Sequence, residues 1–293
     1  MVSLQRPCMA NITSALDAAV QQPQATFAFY SQQCEDRFFH TYFMEGNHHP
    51  VHHRVRTYVE LGANNGVSMS NTRGLYSLGW RGLLVEATPT LCDELKINRP
   101  GDVVVCGAVC DASFGGELTF TATGHAKGGL IGHSVAMGTV PAWSQRMGRN
   151  LKFYNWTVPC APLGTMLRDA GIREVSLFSL DVEMQELRVL RTIDFKVFRF
   201  AVAFVELECP GKRTREAAQD PLVRELLLSH GYEYVLRLRG NDVWIDPAIA
   251  WARKGALRAA EAARGRTIDQ CMIDRNCGDG RGATGAVQYP RAT

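Results

Sequence analysis

The chain of 293 residues predicts an α/β fold built on a largely parallel sheet. Three observations predict it. Thr57 to Leu61 is an apolar, β-branched run that empties into a glycine turn, Gly62-Ala63-Asn64-Asn65-Gly66. Arg81 to Glu86 is a second apolar run, and it ends in a carboxylate twenty residues beyond Gly66. Further apolar runs then alternate with amphipathic stretches, the pattern of strands joined by crossover helices.

The elements follow in order. Residues 1–25 are polar and weakly patterned and read as an N-terminal extension. Ala25 to Met44 gathers Phe27, Phe29, Tyr30, Phe38, Phe39, Tyr42 and Phe43 and predicts a helix packed on the main domain. His48, His49, His52 and His53 lie in a turn-rich loop, but adjacent histidines with no carboxylate or cysteine spacing do not complete a tetrahedral site, so no metal is expected. After the Thr57 strand, Ser68 to Leu78 is helix-compatible with Gly79 as its stop. Asp102 to Val109, Glu117 to Thr123, Val175 to Val182 and Phe200 to Glu208 are further strands. Gly124 to Tyr154 is a Gly-, Ser- and aromatic-rich insertion of the kind that faces a substrate. Asp220-Pro221 opens a helix closed by Gly231, and Tyr232 to Leu238 with Val243 to Ile245 make a closing hairpin. Ala248 to Ala263 is Ala- and Arg-rich and helical in pattern, whereas the glycine-rich segment after Cys277 predicts disorder. The expected division is an extension (1–25), a main domain (26–247), and a helix with tail (248–293).

Two cofactor classes use a strand, glycine turn, helix, strand and acid. A dinucleotide site needs G-x-G-x-x-G so that a pyrophosphate can approach the helix N-terminus. Here Asn64 takes the second glycine position, and Glu60 adds an acid that repels a pyrophosphate but suits the ammonium and sulfonium of S-adenosylmethionine. The residues favour adenosylmethionine and leave a nicotinamide cofactor as the alternative. Glu86 stands where an acid at a second strand end takes both ribose hydroxyls.

Composition narrows the classes. A chain 46% hydrophobic and 21% charged builds a core easily. Its net charge of +3 is scattered among acids, which argues against a nucleic-acid footprint. No run of 18 apolar residues offers a membrane span, and Met1 to Pro7 lacks an apolar signal core. The nine cysteines form no C-x-x-C pair and read as reduced thiols of a cytoplasmic protein; the sequons at Asn11 and Asn155 then read as chance matches.

Five blocks in order give a more specific signal. Tyr30-Ser31-Gln32-Gln33-Cys34-Glu35-Asp36, Val59-Glu60-Leu61-Gly62-Ala63-Asn64-Asn65-Gly66, Ser70-Asn71-Thr72, Gly79-Trp80-Arg81-Gly82-Leu83-Leu84-Val85-Glu86 and Ser179-Leu180-Asp181-Val182-Glu183 together resemble the FkbM family of adenosylmethionine-dependent methyltransferases, over roughly Tyr30 to Ile245. The resemblance implies a Rossmann-like seven-stranded methyltransferase sheet with an N-terminal helical extension. It also implies S-adenosyl-L-methionine as cofactor and methyl transfer to a hydroxyl of a sugar, glycan or natural product. Two departures stand out. Asn65 replaces a frequent Asp, and Met184-Gln185 replace Gly-Ala, which either reshapes the acceptor pocket or abolishes activity.

The expected cofactor residues are Glu60, Gly62, Ala63, Asn64 and Gly66 at the methionine end and turn, Glu86 on the ribose, and Asp111 near the adenine. The resemblance adds Gln32 and Asp36, closing the cleft from the N-terminal helix. Asp181 and Glu183, two residues apart at a strand end, project from one face and are the candidate general bases. In the other reading Asp181 holds the methionine amine and Glu183 caps the next helix; His133 is a further candidate base. The functional classes are an O-methyltransferase, a non-catalytic adenosylmethionine-fold protein and a nicotinamide oxidoreductase.

Overall fold

The computed structural model describes residues 27–44, 55–124, 135–136, 152–207 and 220–265. The extension 1–25, the His48–His53 loop, His133 and the glycine-rich tail lie outside the described residues.

The elements in chain order are α1 (Glu35–Phe39), continued by a π-helical turn His40–Met44; β1 (Thr57–Leu61); α2 (Arg73–Ser77); β2 (Arg81–Glu86); α3 (Pro89–Asn98); β3 (Val103–Cys106); β4 (Ala108–Val109); β5 (Glu117–Gly124); β6 (Val135–Ala136); β7 (Lys152–Ala161); α4 (Leu163–Asp169); β8 (Glu174–Leu180); α5 (Glu186–Leu190); β9 (Arg199–Glu206); α6 (Asp220–Ser229); β10 (Glu233–Leu238); β11 (Asn241–Ile245); and α7 (Ala250–Arg264). Seven strands form one sheet in the order β10-β11-β9-β8-β1-β2-β3. Strands β9, β8, β1, β2 and β3 run parallel, and β11 and β10 close the edge antiparallel.

The period-two alternation of each central strand divides the core between the two faces of the sheet. Val59, Leu61, Leu83, Val85 and Phe178 point to one side, where they meet Leu163 and Leu167 of α4, Leu187 and Leu190 of α5 and Val223 and Leu227 of α6. Tyr58, Leu84, Leu177 and Phe204 point to the other, against Phe38 and Phe39 of α1, Leu75, Leu95 and the small face Ala252, Ala256 and Ala259 of α7. Burial on both faces explains why these strands read as continuous apolar runs.

Four expectations are corrected. The helix expected over Ser68 to Leu78 is reduced to Arg73–Ser77, because Glu60 holds the segment before it: its carboxylate accepts from Ser70 Oγ, Asn71 N and Thr72 Oγ1. The third strand breaks at Gly107, and β4 leaves the main sheet to pair with β7. The stretch read as an insertion to Tyr154 contains the start of β7, which pairs antiparallel with β5 across eight register positions in a second sheet, β4-β7-β5-β6. Finally, not all the cysteines are free thiols. Cys92 of α3 bonds to Cys106 at the end of β3, and Cys110 bonds to Cys160, with Cα separations of 5.5 and 5.6 Å. The pairings join a helix to a strand end and two strand ends to each other, across 14 and 50 residues of chain, so no short motif announces them. Cys34, half-buried before α1, belongs to neither bridge.

Candidate functional site

A cavity of about 830 Å³ opens at the carboxyl ends of β1, β2 and β8, where parallel α/β sheets take their ligands. The glycine turn after β1 forms one wall. Gly62 has φ +77 and passes so close to β8 that an added Cβ would lie 2.1 Å from the Asp181 carbonyl oxygen. This glycine is required by the crossing of two strand ends, and it pins Asp181 beside the turn. Asn64, at φ +52, donates its backbone N–H to Glu86 Oε2 at 2.8 Å. The other Glu86 oxygen accepts from Thr88 N at 2.7 Å, so two backbone donors fix this acid in the cavity wall.

Of the expected site residues, Gln32, Gly62, Asn64, Glu86, Asp111, Asp181 and Glu183 line this one cavity. Four others do not. Ala63 is buried behind the turn, with its N–H on Val85 O. Gly66, at φ +75, packs against Leu95 and Arg99. Asp36 accepts from Ser31 N and Ser31 Oγ and shapes the strap before α1. Glu60 is 3% exposed, and both its oxygens are taken by residues 70–72. Burial pushes its carboxyl up, against the pull of Arg99. Its expected contact with a methionine moiety is therefore replaced by a structural role under the turn.

Arg99, missed in the sequence, holds that foundation together. It is fully buried and donates to Gly66 O, Ser70 Oγ, Thr72 Oγ1, the Tyr58 hydroxyl and Asp102. Nothing in the local sequence around Arg99, near the end of a polar helix, marked it as an interior cation.

The far wall comes from the second sheet. Trp156 stacks on Phe120 with centroids 6.0 Å apart at 12°, and its Nε1 donates to Ala87 O at 2.8 Å. Both rings line the cavity, as do Leu118 and Cys110 of the Cys110–Cys160 bridge. Asp111 is exposed, and its side chain accepts from Ser113 N, which holds its carboxyl below the usual range.

The other end is acidic. Asp181 follows β8, and Glu183 and Met184 both take left-handed backbone, φ +53 and +70. Behind them Glu186 accepts from Val182 N and Met184 N, and burial pushes it up to about 8. Glu206, at the end of β9, is pushed up to about 11 by burial and by Asp181, to which it is hydrogen-bonded. Neither Glu186 nor Glu206 was singled out in the sequence. Gln185 lines the cavity while Met184 does not, so the bulk introduced at 184 is carried outside the pocket. From the N-terminal strap, Glu35 lines the cavity too; burial raises it to about 7, and it accepts from Asn241 Nδ2 and Gln33 N. The bridge Ser31↔Met69 and the bond from Gly240 N to Gln33 Oε1 lay this strap over the pocket mouth. Among the described residues no group of three His, Cys, Asp or Glu is placed to hold a metal ion.

The sheet order, the acid Glu86 at the end of β2 and a cavity at the strand ends define an adenosylmethionine-dependent methyltransferase architecture. The Methyltransferase FkbM domain model matches residues 60–234, and the chain belongs to the FkbM methyltransferases. Its cofactor is S-adenosylmethionine. Among solved structures, the chain is 11% identical to an O-methyltransferase from Bacillus cereus in complex with SAH, covering 81% of this chain and 91% of that one at a TM-score of 0.41. It is 13% identical to cofactor-bound Rv0187 from MTB, covering 79% and 86% with the same TM-score. The family assignment rests on the domain match, not on these distant likenesses. No protein in the search of curated sequences matches the chain significantly.

One cavity atom supplies an independent test of the cofactor's fit. Asn71 lines the cavity, and its Oδ1 is buried without a hydrogen-bond partner among the described residues. A buried acceptor of this kind suits a ligand that brings donors, as the ammonium of adenosylmethionine does.

Proposed function

We propose that the protein methylates a hydroxyl oxygen of a small molecule or glycan. The observation that carries this reading is the single cavity that joins Glu86 at one end to Asp181 and Glu183 at the other. Glu86, with two backbone bonds already setting its direction, takes the ribose hydroxyls. The Phe120–Trp156 stack and Asp111 flank the adenine. When bound, the cofactor supplies an electrophilic methyl group on sulfur, and the chain's contribution is to align an acceptor oxygen with it. Such positioning contributes about 7–11 kcal/mol in well-oriented pairs.

Glu183 takes the proton of the acceptor hydroxyl, because it lines the cavity from the left-handed turn. Asp181, tied to Glu206, is reserved for the cofactor. The strap residues Gln32, Gln33 and Glu35, with Arg188 and Arg191, offer hydrogen bonds to a polyhydroxylated acceptor. The non-catalytic alternative drew its support from Met184-Gln185, of which Gln185 lines the cavity and Met184 does not.

The test is methyl transfer to a panel of hydroxylated acceptors, read as S-adenosylhomocysteine formed and as the position of the label. Glu183→Gln is expected to lower turnover by about 10² to 10⁴-fold with unchanged affinity for S-adenosylhomocysteine. Full turnover in that variant, or label found on nitrogen or carbon, would refute the reading.

A further inference from the structure

Two features of the cavity floor bear on the amino-acid end of the cofactor. Strands β1 and β8 place Glu60 beside Ser179, so Asn71, which donates its N–H to Glu60 Oε1 and its Nδ2 to Ser179 Oγ, sits directly over that pair. Two residues along come Gly62 and Asp181, in contact through the glycine's bare Cα. Asn71 is 8% exposed, and its buried Oδ1 has no donor among the described residues. Asp181 stands beside Glu206 at neighbouring strand ends, since Leu180 pairs with Val205. Burial, and then the Asp181 carboxylate beside it, push the Glu206 carboxyl up and favour its protonated form, so Glu206 is the donor in its bond to Asp181.

We propose that Asn71 Oδ1 and the Asp181 carboxylate together hold the α-ammonium of the cofactor's methionine moiety, with Glu206 acting as a neutral donor that fixes the direction of Asp181. An ammonium has three donors and no acceptor, which matches a floor that offers an orphaned carbonyl oxygen and an anion. Glu206 is thus a positioning residue. It touches no ligand, and its work requires a hydrogen rather than a charge.

The inference rests on the cofactor and not on the acceptor, so its outcome is independent of whether oxygen is the atom methylated. The experiment is calorimetric titration with two probes, S-adenosylhomocysteine and 5′-methylthioadenosine, which keeps the nucleoside and sulfur but lacks the amino-acid end. Asn71→Ala, Asp181→Asn and Glu206→Ala are expected to weaken S-adenosylhomocysteine by about 10- to 100-fold, the range for a hydrogen bond to a charged group. All three should leave 5′-methylthioadenosine within about twofold, which also shows the cavity to be intact. Glu206→Gln, which keeps a donor and carries no charge, is expected to bind both probes as wild type does. Equal weakening of the two probes would overturn the ammonium site, and a Glu206→Gln variant as impaired as Glu206→Ala would overturn the neutral-donor role.

Discussion

The two disulfides make the most quantitative prediction. Cys110–Cys160 joins β4 to β7 across 50 residues, and Cys92–Cys106 joins α3 to β3 across 14. If each acts mainly by restricting the unfolded chain, the loop lengths give about 4 kcal/mol for the longer closure and about 3 kcal/mol for the shorter. At roughly 2–4 °C per kcal/mol in domains of this size, Cys110→Ala/Cys160→Ala should lower the melting temperature by about 8–16 °C, and Cys92→Ala/Cys106→Ala by somewhat less. Alanine avoids burying a hydroxyl at the covered positions 92, 110 and 160. The assay is thermal unfolding followed by circular dichroism, with thiol alkylation and intact mass to count free cysteines. Only the longer bridge touches the cavity, so only its removal should also weaken S-adenosylhomocysteine. Native protein in which these four cysteines alkylate, together with unchanged melting of both variants, would refute the pairing and restore the reduced-thiol reading.

Three further outcomes are expected. Gly62→Ala forces a side chain into left-handed backbone at about 1–2 kcal/mol and into contact with the Asp181 carbonyl; thermal melts should fall and S-adenosylhomocysteine affinity should drop with them. Met184→Gly relieves left-handed strain at φ +70 and, after the added freedom of the unfolded chain, should stabilise by about 1 kcal/mol, read as a higher denaturation midpoint. Glu186 is raised from its ordinary 4.5 to about 8 by burial. The folded state thus keeps a proton that the unfolded chain has lost, and stability falls as pH rises through that window. Glu186→Gln still accepts from Val182 N and Met184 N without the charge, so its melting temperature should fall less steeply between pH 5 and 8, roughly the window those two values bound; parallel curves would contradict the buried-carboxyl account.

The central strands and closing hairpin were legible because burial on both faces leaves an unbroken apolar run, and because the turn needs glycine at position 62. Glu86 was legible for a similar reason: it ends such a run. The second sheet was not. β4 is two residues long, β7 carries Pro159, and the partner that makes β7 a strand lies far back in the sequence. Glu60 misled because an acid at a strand end looks ligand-directed until the Ser70-Asn71-Thr72 segment folds over it. The same fold brings Asn71 to the cavity, and its block was visible in the sequence without a role. Glu206 and Arg99 are defined by neighbours distant in the chain, Asp181 and Tyr58 among them, and no local pattern reveals such a pairing.

The most direct test is titration of wild type and Glu86→Ala with S-adenosylmethionine, S-adenosylhomocysteine and NADH. Wild type is expected to bind the first two and not NADH, and Glu86→Ala to weaken both by about tenfold or more. Unchanged affinity in Glu86→Ala, or binding of NADH, would contradict it.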